Sequence, residues 1–336
     1  MEIGKLKKAL MDPALYPDRP ERVGFTETHI SMLFFTGVHV YKIKKPVDFG
    51  FLDFTSLEKR RHFCEMELNL NRRLSRGIYL DVVEIKLNDE KVTLADEGQT
   101  IEYAVKMKQI AEDLLMDRLL DRELITPDMV AKVAEMLADF YARAETNERI
   151  RSFARPERVR QDTDENFDQT EKYIGTTISA EQFRDIRKST DSFLEQRREV
   201  FFQRMEGGWI RDCHGDLRLE HIFVGEEMAI LDCIEFNERL RYTDVAADIG
   251  FLAMDFDYRG RDDLSRYLMR CYVDRSGDTA IEKVIDFYRC YRAYVRGKVE
   301  SFRLDDPNIR REEKEDARSR AVRYFKLSHE YARRLI

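Results

Sequence analysis

One stretch restricts the fold of this chain more than any other. It reads Cys213-His214-Gly215-Asp216-Leu217-Arg218-Leu219-Glu220-His221, and is followed closely by Ile230-Leu231-Asp232-Cys233-Ile234-Glu235-Phe236. A polar loop with His214, Asp216 and His221 runs into two short apolar segments, 222–224 and 228–231, parted by the turn residues Gly225-Glu226-Glu227. Apolar runs of this length on either side of a glycine turn predict a β-hairpin. A hairpin there is expected to bring Asp216 and Asp232, sixteen residues apart, close together. Two carboxylates held in that way can orient a hydroxyl and grip a divalent cation.

Upstream, the pattern is mostly that of strands. Residues 1–21 read as an N-terminal arm, with an amphipathic start (Ile3, Leu6, Leu10) and a proline turn at Pro13, Pro17 and Pro20. Residues 30–35 form an apolar run and Thr36-Gly37 a turn. Residues 38–45 form a second strand that Pro46 ends, because proline cannot donate to a ladder. In that strand Val38, Val40, Lys42 and Lys44 share one face, with His39, Tyr41 and Ile43 on the other. Thr55-Ser56-Leu57-Glu58 has the form of a capping box and predicts a helix to about Leu74. Phe63, Glu67, Leu70 and Leu74 fall on one side of it, so Glu67 is a carboxylate on an apolar face and needs a partner. Lys42 or Lys44 is the expected donor, in preference to Arg72 or Arg73 of the same helix. Segments 82–86, 92–95 and 101–106 complete a small sheet.

At Met107-Lys108-Gln109-Ile110 the period changes from strand to helix, which marks a hinge between an N-lobe at 22–108 and a C-lobe at 109–336. Thr126-Pro127 is a cap followed by proline at the first helical position, predicting a helix to about Ala144. Residues 145–163 read as polar and irregular, and Ser179 opens a long charged helix that stops at Gly207-Gly208. Beyond the hairpin, Asp244 caps a helix with a Val245, Ile249, Leu252 and Phe256 stripe, and further helices are expected at 261–275, 279–303 and 309–334. The expected class is α+β: a bilobal fold with a small β-rich N-lobe containing one helix, and a larger, mainly helical C-lobe.

Composition narrows the partners. The 336 residues are 43% hydrophobic and 37% charged with a net charge of −7, an ordinary globular balance that argues against binding nucleic acid by phosphate neutralisation. The five cysteines are scattered and odd in number, as expected for reduced thiols in a cytoplasmic protein. No charged-then-apolar leader opens the chain and no run of about 18 apolar residues offers a membrane span.

The order of parts is a strand lysine, a helix glutamate, a hinge, a loop aspartate, and a hairpin ending in a second aspartate. That order resembles the protein-kinase fold. The segments HGDLRLEHIF and ILDCIEF, with Asp244-Val-Ala-Ala-Asp248-Ile-Gly after them, are similar to the aminoglycoside phosphotransferase and choline kinase branch of it. YKIKKPVDFGFLDFTSLEKR and YRAYVRGKVESFR look most like aminoglycoside-phosphotransferase-like proteins of bacteria, many of unassigned substrate. The resemblance covers about residues 22–300 and implies a protein-kinase-like fold with ATP or GTP as phosphoryl donor, Mg²⁺ as metal and a small-molecule acceptor. By the same likeness Asp216 orients or deprotonates the acceptor hydroxyl, Asp232 binds the metal, and Lys42 contacts the phosphates while held by Glu67. Lys44 is the alternative to Lys42. The backbone at Met107 and Gln109 meets the adenine edge, Thr28 to Ser31 cover the phosphates, and Asp248 braces the catalytic loop by accepting its N–H groups.

Two departures matter. His221 stands where the branch has a metal-binding Asn, and imidazole nitrogen suits Mn²⁺ or Zn²⁺ better than Mg²⁺. No peptide-anchoring segment lies between Asp232 and Asp244, which favours a small acceptor over a protein. In the 279–303 helix, Arg292 and Arg296 are one turn apart and are candidate ligands of an anionic or polyhydroxylated acceptor. The leading alternative is a nucleotide-binding pseudokinase that acts through a protein partner. A hydrolytic metal centre made of His214, Asp216, His221 and Asp232 is the other rival, but it leaves the strand lysine unexplained.

Overall fold

The structure is a computed structural model and describes residues 2–335. They divide into two compact units, one of residues 1–123 with 220–238, the other of 124–219 with 239–336. Two chain segments build each unit, so the division differs from the expected 22–108 and 109–336.

The first unit is organised by a six-stranded antiparallel sheet. In chain order it contains α1 (Ile3–Leu10), β1 (Gly24–Glu27), β2 (Ser31–Phe35), β3 (His39–Lys44), α2 (Leu57–Asn71), β4 (Tyr79–Asn88), β5 (Lys91–Thr93), β6 (Gln99–Lys108) and α3 (Met116–Asp121). The sheet order is β1-β2-β3-β6-β4-β5, with Lys42 facing Leu33 on one neighbour and Val105 on the other. Strand alternation gives β3 two different faces. Tyr41 and Ile43 enter a core with Leu6, Leu10, Tyr16 and Phe34, so the N-terminal arm covers one face of the sheet. On the opposite face α2 lays Cys64 and Leu68 against Tyr79 and Val105. Ser56, not Thr55, caps α2 by accepting the Lys59 N–H at 3.2 Å. The third helical residue is therefore Lys59, so the expected capping box does not form.

The second unit is helical: α4 (Pro127–Arg143), α5 (Glu148–Ser152), α6 (Pro156–Thr170), α7 (Ala180–Gln196), α8 (Arg198–Glu206) and then β7 (Ile210–Asp212). The hairpin β8 (Ile222–Val224) and β9 (Met228–Ile230) belongs to the sheet unit, where Ile230 N–H donates to Leu74 C=O. The chain continues through α9 (Glu238–Arg241), β10 (Tyr242–Asp244), α10 (Val245–Tyr258), α11 (Asp262–Ser276), α12 (Ile285–Phe302) and α13 (Arg311–Ala332). Segment 145–163, expected to be irregular, is mostly α5 and the first half of α6. Asn147 caps α5 and Pro156 occupies the first turn of α6. The long charged helix opens on Ser179 as expected, there with a capping box to Gln182, but breaks at Arg197, and α8 turns Phe201 and Arg204 into the core. Phe167, Phe183, Phe251, Tyr294 and Phe325 join α6, α7, α10, α12 and α13 around one apolar core. Among the described residues no helix is long and apolar enough to cross a membrane.

Candidate functional site

In the helical unit, the loop after β7 is held by two aspartates on one face of α10. Asp248 accepts the N–H of His214 at 2.6 Å and of Gly215 at 3.0 Å, and Asp255 accepts that of Leu219 at 3.0 Å. Gly215 has φ +91°, a conformation that favours glycine, so the turn needs that residue type. The imidazole Nδ1 of His214 meets the N–H of Asp216 at 3.3 Å, which braces the loop from within. Asp248 is fully buried and also accepts the Tyr141 hydroxyl, with Arg292 Nη2 at 3.8 Å offsetting its charge. This frame presents Asp216, whose two oxygens accept from Arg218 Nε at 3.1 Å and Nη2 at 3.0 Å.

Arg292 and Arg296 are committed elsewhere. Arg292 is buried, donates to Ala247 C=O and lies over the Phe251 ring. The cavity it lines with Asp162 and Tyr288 measures about 30 Å³, room for a water but not for a metabolite. Arg296 pairs with Glu300 at 3.3 Å. Of the two arginines expected to bind the acceptor, one braces Asp248 and the other is half of a helix-face ion pair.

In the sheet unit, Lys42 and Lys44 project from β3 towards α2 and meet Glu67. Glu67 gives one oxygen to each: Oε1 lies 2.7 Å from Lys42 Nζ and Oε2 2.6 Å from Lys44 Nζ. Lys42 also reaches Asp232 Oδ1 at 2.8 Å, and Lys44 bonds to Glu235. The choice between Lys42 and Lys44 as the partner of Glu67 thus resolves into both. Lys42 directs its hydrogen bond at Asp232, and Glu67 Oε1 is a buried oxygen with a charge contact but no aligned hydrogen bond. Burial opposes the charge on Lys42, yet Asp232 and then Glu67 outweigh it and hold its pKa well above the ordinary range. Burial likewise pushes Glu67 up, and Lys42 with Lys44 wins, keeping it below the usual carboxylate range.

Asp232 follows β9 with φ +61°. Its N–H donates to the Tyr79 hydroxyl at 3.2 Å, and the next N–H, of Cys233, donates to Asn71 Oδ1 at 2.9 Å. Asn71 lies one turn beyond Glu67 and donates to its C=O. The Asp232 side chain is 53% exposed, a hard carboxylate open to solvent beside a lysine. That fits Mg²⁺, which uses one or two protein carboxylates and takes its other ligands from phosphate and water. His221 Nε2 stands 3.9 Å from Asp232 Oδ2 and 3.7 Å from Glu220. Among the described residues no group of three or more His, Cys, Asp or Glu side chains is placed to hold a metal ion.

Met107 lies at the end of β6, packed in the apolar cluster under α2. Gln109 donates its N–H to Val38 C=O at 2.8 Å and accepts the Gly37 N–H on its side chain, so this donor is already used. Residues 28–31 form a tight turn in which Thr28 Oγ1 accepts the Ser31 N–H at 3.1 Å. Glu235 was given no role by sequence reasoning, although a second lysine on the Lys42 face of β3 called for a second acid.

No protein-family model matches the chain. It is 34% identical over 306 residues to uncharacterised proteins of Mycobacterium tuberculosis H37Rv and Mycobacterium bovis. The match covers 91% of this chain and 59% of each relative, so the chain spans under two thirds of their length. Among solved structures, a choline/ethanolamine kinase family protein from Mesorhizobium loti gives a TM-score of 0.51 at 13% identity, covering 98% of this chain and 99% of that one. A candidate aminoglycoside phosphotransferase from Ralstonia eutropha JMP134 gives 0.51 at 15% identity, covering 98% of each. The likeness to these two kinase-like structures is one of fold, spanning 98% of this chain.

Proposed function

We propose that this chain is a phosphotransferase that moves a phosphoryl group from ATP or GTP to a hydroxyl of a small molecule. The observation that carries the reading is the Lys42–Glu67–Asp232 network: a lysine held between a buried carboxylate at 2.7 Å and an exposed one at 2.8 Å. The two solved neighbours, both named for small-molecule substrates, support the acceptor class. In this reading Lys42 would leave Asp232 to hold the α- and β-phosphates, and Asp232 would hold the metal. Asp216 orients the acceptor hydroxyl and acts by positioning it. A bound Mg²⁺ supplies charge neutralisation along the phosphates. His221, beside Asp232, is the group through which Mn²⁺ would be preferred. The protein is expected in the cytoplasm, without a nucleic-acid or membrane partner.

The test is a phosphate-acceptance screen over a metabolite library with ATP or GTP and Mg²⁺ or Mn²⁺, run on wild type and Asp216→Ala. Asp216→Ala should lower turnover on any acceptor found by about 10²–10⁴-fold. Equal turnover by both proteins would remove Asp216 from the chemistry. The pseudokinase reading draws on the double hydrogen bond that Arg218 makes to Asp216. Metal-dependent nucleotide binding with no turnover on any acceptor would favour it.

A further inference from the structure

The chemistry above uses one lysine of β3, yet the sheet unit buries two. Lys44 is 1% exposed, and its ammonium faces Glu67 at 2.6 Å and Glu235, with the Phe54 ring 4.9 Å away. Burying a lysine and two carboxylates is expensive unless each charge is matched. Apolar side chains at positions 44 and 235 together would fill the same space without that cost, so the pair calls for a function.

We propose that Lys44 is a positioning residue, which holds Glu67 and Glu235 in place while Lys42 exchanges Asp232 for phosphate; the proposal rests on the phosphotransferase reading. Glu67 is shared by its two oxygens, one per lysine. If Lys42 were its sole partner, turning Lys42 towards a phosphate would leave a fully buried carboxylate unpaired. Lys44 keeps Glu67 matched throughout that movement, and α2 stays where it is. Glu235 extends the same hold to the metal-binding residue. It lies three positions after Asp232, and the peptide between them is also fixed by the Cys233 N–H on Asn71 of α2. Lys44 therefore ties β3 to both ends of the arrangement, while Lys42 at its edge remains exchangeable. The Asp232 backbone, with φ +61°, depends on such fixed neighbours to persist.

The experiment measures the dissociation constant of ATP by titration calorimetry on the full chain, once with Mg²⁺ and once with EDTA. The ratio of the two is the metal-linked gain. A purely structural loss weakens both measurements together and leaves that ratio unmoved. The variants are Lys44→Met/Glu235→Leu, which removes both buried charges and leaves Lys42 on Glu67, and Glu235→Gln, which keeps the shape and a hydrogen bond. Circular dichroism checks that each is folded. The expected result is a metal-linked gain reduced at least tenfold in the double variant and by a smaller factor in Glu235→Gln. If both variants are folded and retain the wild-type gain within twofold, Lys44 is not a positioning residue and the proposal falls. If wild type itself shows no metal-linked gain, the phosphotransferase reading fails and takes the proposal with it. The protein in which the loss occurs tells the two failures apart.

Discussion

Asp232 combines two demands that few residue types meet, a hard oxygen ligand and a left-handed backbone. Asn and Asp tolerate φ > 0 because their short polar side chains bond locally, whereas Ala lacks that compensation. Asp232→Asn should keep the backbone and lose metal-linked nucleotide binding. Asp232→Ala should lose the same binding and be less stable than Asp232→Asn by about 1 kcal/mol. Both variants lack the ion pair to Lys42, so their difference in chemical denaturation isolates the backbone. Equal stabilities would show that the residue type does not matter to the turn. At this scale most of the site was legible. Glu67 on an apolar helix face demanded a cation, and strand alternation offered Lys42 and Lys44 together. Glu235 was missed because it lies outside the predicted hairpin segments 222–224 and 228–231, and the need for a fourth charge shows only when Lys44 is seen buried. Arg292 was misjudged for the opposite reason. An arginine among tyrosines reads as an exposed binding face, but its partner, Asp248, is 44 residues away in sequence.

Among the elements, α10 is the brace of the loop; the helix was legible from its cap and stripe, and the role of Asp248 was implied by the resemblance alone. Helix α6 was not, because its buried face is largely polar. Thr163, Asn166 and Thr170 sit inside with Val159 and Phe167, and the threonine hydroxyls bond back to carbonyls one turn earlier. Hydrophobic periodicity cannot register such a face; Pro156 in its first turn was the available signal. The same polar interior creates a titrating group. Lys298 of α12 donates to Asn166 at 2.5 Å and Gln169 at 2.8 Å, both neutral, and burial pushes its pKa down from 10.5 to about 8. Below about pH 8 both folded and unfolded chains hold the proton, and the full penalty of burying an ammonium applies. Between about pH 8 and 10.5 the unfolded chain holds a proton that the folded chain has lost, so stability rises with pH across that window. One proton corresponds to at most about 1.4 kcal/mol per pH unit, and the partial exposure of Lys298 brings the slope below that. Lys298→Met should flatten this part of the profile in denaturation at pH 7.5, 8.5 and 9.5. An unchanged slope would assign the effect to other groups.

For the whole molecule, the architecture came through in kind but not in division. The change of period near residue 107 separates strand from helix correctly, yet the chain returns to the sheet unit at 220–238 with Asp232 and Glu235. No local pattern can announce that return, because a short hairpin is compatible with either core. Its consequence is testable. Lys42, Glu67, Asp232 and Glu235 all belong to one compact unit with its own apolar clusters, while Asp216 and its brace belong to the other. Two cores built in this way need not unfold in a single step, and a ligand stabilises the segments that bind it by RT ln(1 + [L]/Kd), about 2.7 kcal/mol at a hundredfold excess over Kd. Hydrogen exchange with and without saturating Mg²⁺ and ATP should therefore show slowed exchange at 38–45, 64–72 and 228–236, peptides far apart in sequence that share one charge network. In Lys42→Met that protection should shrink in all three together, because the phosphate contact that couples them is gone. Protection confined to 107–112, with the network peptides unmoved in wild type, would mean that nucleotide binds without engaging Lys42 and Asp232, and the assignment of phosphate and metal contacts would have to be abandoned.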